Sequence, residues 1–367
     1  MQERRKFLKT AGAGLAAGAT MMPTLSRAQV AGLPEVKWRL ASSFPKSLDT
    51  IYGAAEMMAK RVAACTGGKF QIQVFAAGEI VPALQVLDAV QNGTVAAGHT
   101  APYYYWGKDP AFALGTAIPF GLNARQMNAW MLFGGGLELF REFYKGYNIH
   151  NVPCGNTGAQ MGGWFRKEIK TVADLKGLKF RIGGFAGKVI EKLGGVPQLL
   201  AASDIYSALE KGTIDAAEWV GPYDDEKLGF NKVAKYYYYP GWWEGGPELD
   251  AFFNIKEWEK LPKEYQNIVE AACWEANSWM LARYDAQNPA ALKRLVGGGT
   301  KLRGFSRDIM VASYKASLQV YKETREKSPA FKKIYDSMVA FRNDQLLWFR
   351  VAEKGYDDFM HSIGSIK

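Results

Sequence analysis

Apolar and polar positions follow two periods in turn along the first half of the chain. Val36-Lys37-Trp38-Arg39-Leu40-Ala41-Ser42-Ser43 alternates and predicts a first strand. Ile51, Ala54, Met57, Met58 and Val62 recur at helical spacing, which predicts a helix over 47–65, stopped by Gly67-Gly68. Phe70-Gln71-Ile72-Gln73-Val74-Phe75 alternates again, and 84–91 reads as a short helix. A strand, helix, strand, helix order argues a mostly parallel sheet. The order then returns: 178–182 predicts a strand, 186–193 a helix and 198–200 a short strand.

The second half of this pattern repeats the first in detail. Ala89-Val90-Gln91-Asn92-Gly93-Thr94-Val95-Ala96-Ala97 lines up with Ala208-Leu209-Glu210-Lys211-Gly212-Thr213-Ile214-Asp215-Ala216. Each copy is a helix end, a glycine at the C-cap, and a strand that enters a loop. The second strand is expected over 213–217. The offset is a lobe's length rather than a solenoid period, so two similar lobes with a ligand cleft between them are expected. Helical spacing dominates afterwards, over 264–284, 307–325 and 330–360. Trp274 and Trp279 fall on the packing side of the first of these.

A chain of 367 residues that is 48% hydrophobic and 22% charged is globular and too long for one ordinary core. Its start is a different matter. Glu3-Arg4-Arg5-Lys6-Phe7-Leu8-Lys9 is a charged head, an uncharged stretch of small and apolar residues runs to Met22, and Ser26-Arg27-Ala28 offers a cleavage site. This reads as an export signal over 1–28. It resembles a twin-arginine signal with Glu3 where Ser or Thr is usual, so the export route stays open between the twin-arginine and general pathways. The apolar run falls short of the roughly 20 residues that a spanning helix needs. The signal takes Arg4, Arg5, Lys6, Lys9 and Arg27 with it, so the net charge of +10 shrinks to a mildly basic mature surface that suits anionic ligands. No basic run carries interleaved aromatics, which argues against nucleic acid. Cys65, Cys154 and Cys273 are far from any zinc spacing and read as buried small hydrophobes, at least one of them a free thiol.

Catalytic motifs are missing. The histidines are His99, His150 and His361, without metal-protease spacing, and no Gly-x-Ser-x-Gly elbow occurs. Gly12-Ala13-Gly14-Leu15-Ala16-Ala17 mimics a dinucleotide fingerprint but lies in the signal, and Gly187-Lys188 lacks the upstream glycine of a phosphate loop. The chain is therefore expected to bind and not to catalyse.

Several polar residues stand where a ligand would be held. Asn156 and Gln160, in Gly155-Asn156-Thr157-Gly158-Ala159-Gln160-Met161-Gly162-Gly163-Trp164, carry amides that orient a carboxylate or a cation, or else cap a turn. Arg181 ends a strand ahead of Gly183-Gly184, where a guanidinium can hold a carboxylate by two parallel hydrogen bonds, or else make a surface ion pair. Glu218-Trp219 ends the second echo strand in an apolar run, and Glu244 is walled by Trp242 and Trp243. Each acid needs a partner: an arginine, a cation or a proton. Together with a Gln oxygen and a backbone carbonyl they make an all-oxygen set, suited to Na⁺ or Ca²⁺. Of the aromatic cluster Tyr103-Tyr104-Tyr105-Trp106, Tyr103 is the residue expected at the ligand, because it follows the first echo strand.

These segments resemble the extracytoplasmic solute receptors of tripartite ATP-independent periplasmic (TRAP) transporters. The match is to the branch that binds 2-oxo acids or lactate with a metal ion. It runs through Ala41 to Thr50, Tyr103 to Pro110, Gly155 to Phe165, Arg181 to Lys188, Glu210 to Tyr223 and Tyr239 to Gly246. The resemblance implies an α/β, two-lobed periplasmic binding protein fold with a hinge, a long lobe-spanning helix and a helical C-terminal tail. Lobe 1 would take 35–153 and 243–262, lobe 2 would take 154–242, and 263–367 would pack on both. Arg181 would clamp the substrate carboxylate, and Gln160 would touch substrate and metal. Glu218, the Trp219 carbonyl and Glu244 would complete the metal shell. The closeness of the match leans to Na⁺, with Ca²⁺ the alternative that better neutralises the site. The implied substrate is pyruvate, a longer 2-oxo acid or lactate, and the implied partners are the TRAP membrane subunits. C-terminal helices that exchange between subunits would give a homodimer. A receptor that presents its ligand to a sensor partner, and a periplasmic cofactor enzyme, are the competing readings.

Overall fold

The computed structural model describes residues 32–364, so the export signal expected over 1–28 lies outside the described residues. The chain first builds β1 (Val36–Ser42), α1 (Ile51–Cys65), β2 (Phe70–Phe75), α2 (Val86–Gln91) and β3 (Ala97–Thr100). Helices α3 (Ala124–Phe133) and α4 (Gly136–Lys145) follow, and β4 (Ile149–Asn156) completes this stage. The alternation in β2 sets its faces: Phe70 and Ile72 are buried, while Gln71 and Gln73 are exposed.

The second stage runs β5 (Gly163–Phe165), β6 (Lys179–Arg181), α5 (Ala186–Lys192), β7 (Val196–Gln198), α6 (Ala202–Lys211), β8 (Ala216–Ala217), α7 (Pro222–Lys227) and β9 (Tyr236–Tyr239). The chain then returns through β10 (Glu248–Asn254) and α8 (Ile255–Glu259) to a long helix, α9 (Lys263–Gly297). After it come β11 (Lys301–Gly304), α10 (Arg307–Lys327), α11 (Pro329–Phe349) and α12 (Gly355–Ser362).

Two sheets result, in the orders β2-β1-β3-β10-β4 and β11-β9-β5-β8-β6-β7. The expected parallel pairings hold for β1 with β2 and β3, and for β6 with β7 and β8. The sheets are nonetheless mixed. β10 lies antiparallel between β3 and β4, and β5 lies antiparallel between β8 and β9. The physical reason is topological: β10 and β5 each enter straight from the other sheet, with no crossover helix to reverse them.

Both echo segments adopt one backbone trace. Gly93 and Gly212 take φ of +75° and +73°, a left-handed conformation that glycine adopts without steric cost. The next N–H, of Thr94 or Thr213, bonds back to Ala89 O or Ala208 O at 2.9 and 3.0 Å. The second echo strand is shorter than expected, Ala216–Ala217 only, and the strand expected over 198–200 lies two residues earlier. The first helix begins at Ile51, after a turn over 46–50.

Helix α9 is longer than its sequence pattern implied. It runs for 35 residues, straight through Pro289, or about 50 Å at 1.5 Å per residue. Ala291 and Leu295, beyond the proline, are buried and hold the helix to its course. It packs on β4 and α1 of one lobe and on α7 of the other. Among the described residues, no helix is long and apolar enough to cross a membrane.

Candidate functional site

The chain passes between the sheets through two loops, after β4 and before β10, and a third time through α9 on its way to β11; each loop crossing carries one candidate residue, Gln160 on the first and Glu244 on the second. The crossings are bonded to each other. Gln160 N–H donates to Glu244 O (3.3 Å), Gly241 N–H to Gln160 O (3.0 Å) and Thr157 N–H to Pro247 O (3.0 Å). Asn156 reinforces them. Its Nδ2 donates to Gly246 O (3.2 Å) and its Oδ1 accepts from Gly158 N–H (2.9 Å). The Asn156 amide is thus spent on the backbone of the crossings.

Arg181 and Glu218 are brought side by side by strand pairing. β6 and β8 are parallel with Arg181 opposite Ala217, so both side chains emerge at strand C-termini. Both are fully buried, and Arg181 Nη1 donates to Glu218 Oε1 (2.5 Å) and to Glu218 O (2.8 Å). Arg181 Nε donates to Leu200 O (3.2 Å), and Glu218 Oε1 also accepts from Gly183 N–H (2.9 Å). Arg181 Nη2, Glu218 Oε2 and Glu244 Oε1 are buried without a hydrogen-bond partner among the described residues. The guanidinium therefore has one nitrogen left for a ligand, not the two-nitrogen fork that the sequence suggested.

Trp219 follows Glu218. Its ring centroid lies 5.0 Å from the Arg181 guanidinium carbon. The Gln160 side-chain oxygen faces two other acceptors, Glu244 Oε2 and, at 2.5 Å, the Trp219 carbonyl oxygen. Two arrangements remove that conflict. The amide can turn, so that its nitrogen donates to both and its oxygen accepts from Thr157 Oγ1 at 3.1 Å. Alternatively, a cation sits among the oxygens. The second arrangement also gives work to the unpaired oxygens of Glu218 and Glu244.

Electrostatics point the same way. Burial drives the Glu244 carboxyl well above the usual carboxylate range, and the nearby Glu218 charge adds to this. Burial also raises Glu218, opposed by Arg181. A cation held by both would reverse these shifts. The donors are carboxylate, amide and carbonyl oxygens, which fit a hard ion such as Na⁺ or Ca²⁺.

Tyr103 closes the site from the other lobe. Its ring lies on Gly183 and Gly184, where a Cβ would come within 2.8 and 2.5 Å of ring atoms. Its hydroxyl stands beside Glu244 and favours the ionised carboxylate. A narrow hollow, with a cavity volume of about 10 Å³, is lined by Phe44, Tyr103, Tyr104, Thr157, Gln160 and Trp219, among others. Thr157 and Tyr104 were within reach of sequence reasoning, each one residue from a candidate, but no local signal separates them from their neighbours.

Comparisons with known proteins identify the family. The family described as bacterial extracellular solute-binding protein, family 7, matches residues 41–328. A monocarboxylate 2-oxoacid-binding periplasmic protein of Nostoc sp. is 54% identical over 362 residues, 98% of this chain and 99% of that protein. A TRAP transporter solute-binding protein from Bordetella bronchiseptica has been solved as a mixed-occupancy dimer, with copurified calcium and picolinate in one active site and an apo site. It is 56% identical with a TM-score of 0.89, covering 90% of this chain and 98% of its own. A TRAP periplasmic solute-binding protein from Pseudoalteromonas atlantica, with bound sodium and pyruvate, is 39% identical with a TM-score of 0.87, covering 89% and 99%. With its two-lobed fold, its buried oxygen-lined site and these relatives, the chain belongs to bacterial extracellular solute-binding protein family 7, as a periplasmic receptor of the TRAP transporter type that binds its solute without transforming it.

Proposed function

We propose that this receptor captures a 2-oxo or 2-hydroxy monocarboxylate together with Na⁺ or Ca²⁺ and delivers it to TRAP membrane subunits. One observation carries the reading. Buried oxygens of Gln160, Glu244 and the Trp219 carbonyl face one another, Glu218 lies near enough to raise the Glu244 carboxyl, and Nη2 of its partner Arg181 has no hydrogen bond among the described residues. Arg181 Nη2 takes one carboxylate oxygen. The cation is held by Gln160, Glu218, the Trp219 carbonyl and Glu244, with Trp219 and Tyr103 walling the ligand. Asn156 serves the site by bracing the crossings. The relatives support the chemical class. Pyruvate and picolinate, bound in two of them, each pair a carboxylate with a donor atom on the adjacent carbon, so both chelate a hard cation.

Calorimetry on mature protein, freed of ligand and cation by unfolding, chelation and refolding, tests this. Pyruvate, lactate and a longer 2-oxo acid are titrated in Na⁺ and in Ca²⁺. Cation-dependent binding of one of them is expected. Binding of none of them, or binding indifferent to cation, sinks the reading.

The lobes are read as 35–153 with 243–262 and as 154–242, with 263–367 packed on both. The end of α11 and α12 form the homodimer contact in this reading. Leu347 and Trp348 of α11, Tyr356 and Phe359 of α12, and Val351 between the two helices are each at least 60% exposed, and exposed large apolar side chains in such number mark an interface. Light scattering on the mature chain, with and without residues beyond 345, tests that contact.

A further inference from the structure

Two acids of α7 take no part in the site proposed above. Asp224 and Asp225 are both buried. Acids in a first helical turn ordinarily serve the helix dipole or cap its N–H groups, but α7 has no side-chain cap. Their bonds go outward. Asp225 accepts from Trp164 Nε1 (3.0 Å) and the Tyr237 hydroxyl (2.6 Å) through Oδ2, and from Val220 N–H (3.4 Å) through Oδ1. Asp224 Oδ2 accepts from Trp219 Nε1 (3.4 Å) and from the Tyr284 hydroxyl (2.7 Å). Consecutive carboxylates thus grip consecutive residues, Trp219 by its ring and Val220 by its backbone. Tyr284 belongs to α9 and lines no part of the hollow.

We infer that Asp224 is a positioning residue of the binding site: it ties the Trp219 indole to Tyr284 of the long helix and so holds the Trp219 carbonyl oxygen in place among the cation-facing oxygens. The inference rests on the site proposed above. The Trp219 carbonyl shares one peptide plane with the Val220 N–H, which Asp225 Oδ1 holds, and the buried indole held by Asp224 fixes the Cα about which that plane turns. The indole also stacks over Arg181 and meets Phe44 edge-on, with centroids 6.4 Å apart. One anchored ring therefore sets the guanidinium, the carbonyl and one wall of the hollow together. The same helix carries Tyr223, whose N–H donates to Asn288 Oδ1 of α9 at 3.0 Å, so its base on the long helix is doubly secured.

The test has one readout that does not depend on the ligand. In ¹⁵N-labelled, ligand-free protein, the Trp219 indole N–H resonance is assigned by its loss in Trp219→Phe. It is expected as a single line in slow exchange with water. Asp224→Ala is expected to broaden it or speed its exchange at least tenfold, and Tyr284→Phe to do so more weakly. The second readout is affinity for pyruvate with Na⁺ or Ca²⁺. Asp224→Ala is expected to weaken it about tenfold, the loss of one buried hydrogen bond, and Tyr284→Phe about threefold. The double variant Asp224→Ala/Trp219→Phe should bind no more weakly than Trp219→Phe alone, because the acid acts through the indole. Additive losses, or an unchanged indole in both variants, overturn the inference. If Asp224→Ala does not fold, Tyr284→Phe keeps the carboxylate and decides by the same two readouts. If the wild type binds no 2-oxo acid while the indole responds as expected, the substrate reading fails and the positioning role stands.

Discussion

Arg181 and Glu218 form an ion pair with both side chains fully buried, 2.5 Å apart, and each keeps one polar atom without a partner among the described residues. A purely structural pair would satisfy those atoms, since leaving a buried charge half-bonded is costly. Arg181→Lys tests what the spare nitrogen does. Lysine keeps the charge but loses the planar fork that reaches Glu218 and Leu200 at once. Ligand affinity measured by calorimetry is expected to fall at least 100-fold, about 2.7 kcal/mol. Arg181→Ala leaves Glu218 buried and unpaired, and its denaturation curve is expected to show a loss of about 3–5 kcal/mol. Full affinity in Arg181→Lys would remove Arg181 from the site.

Glu244→Gln separates a cation ligand from a structural acid. Burial and the neighbouring Glu218 both disfavour a charge at Glu244. Neutralising it should therefore raise the melting temperature of cation-free protein by a few degrees. The same change removes a charged oxygen from the cation set, so the rise in melting temperature that Ca²⁺ gives the wild type should vanish. A variant that still gains the full Ca²⁺-dependent shift would show that the cation binds elsewhere.

The part of this site that was legible in sequence is the part made by local repetition. The echo placed a glycine-terminated helix and a strand in each lobe, and strand C-termini pointed to Arg181 and Glu218. Gln160 and Glu244 were suspected from their neighbours, but only family resemblance joined them, because their meeting depends on two crossings 84 positions apart that bond backbone to backbone. The amide of Asn156 looked equally fit for ligand and turn, and only the positions of Gly246 and Gly158 resolve where its atoms go. The antiparallel insertion of β10 was invisible, since an alternating strand carries no mark of its direction. Asp49 gave no signal either, because its partners lie more than 170 residues away, and the link that Asp224 makes from nearby Trp219 to Tyr284 spans 60 residues.

Asp49 bridges the lobes at the rim. Its Oδ2 accepts from the Tyr223 hydroxyl (3.2 Å) and from Arg283 Nη2 (2.7 Å), and its Oδ1 pairs with Lys227. Tyr223 and Lys227 belong to α7, Arg283 to the long helix, and Asp49 to the loop ahead of α1. The carboxylate is 45% exposed, so solvent screens the pair and its contribution to overall stability is small. Its place between the two lobes matters more. Asp49→Asn is expected to speed ligand release about threefold in stopped-flow displacement while moving the melting temperature little. The wild-type rate should approach that of the variant at high salt, where surface pairs are screened. Equal release rates at low salt would mean that the rim contact does not hold the lobes closed.

His99 supplies a stability term with a definite sign. It lies on β3, fully buried, edge-on to Phe44 at 5.6 Å, with neither ring nitrogen hydrogen-bonded among the described residues. Burial pulls its pKa from 6.5 down to about 4, and the nearby Cys154 backbone offsets this only in part. The unfolded chain therefore takes up a proton near pH 6.5 that the folded chain refuses until about pH 4. The stability is intact above pH 6.5 and is lost as pH falls towards 4, by about 3 kcal/mol in all. Buried Asp225 and Asp250, both raised from 3.8 to about 7 chiefly by burial, act in the opposite direction and cost stability as pH rises from about 4 to 7. They are common to wild type and variant, so a difference measurement cancels them. Urea unfolding of wild type and His99→Leu at pH 7, 5.5 and 4 should show the wild type losing most of that 3 kcal/mol relative to the variant. Parallel profiles would mean that His99 takes up its proton inside the fold as readily as in the unfolded chain.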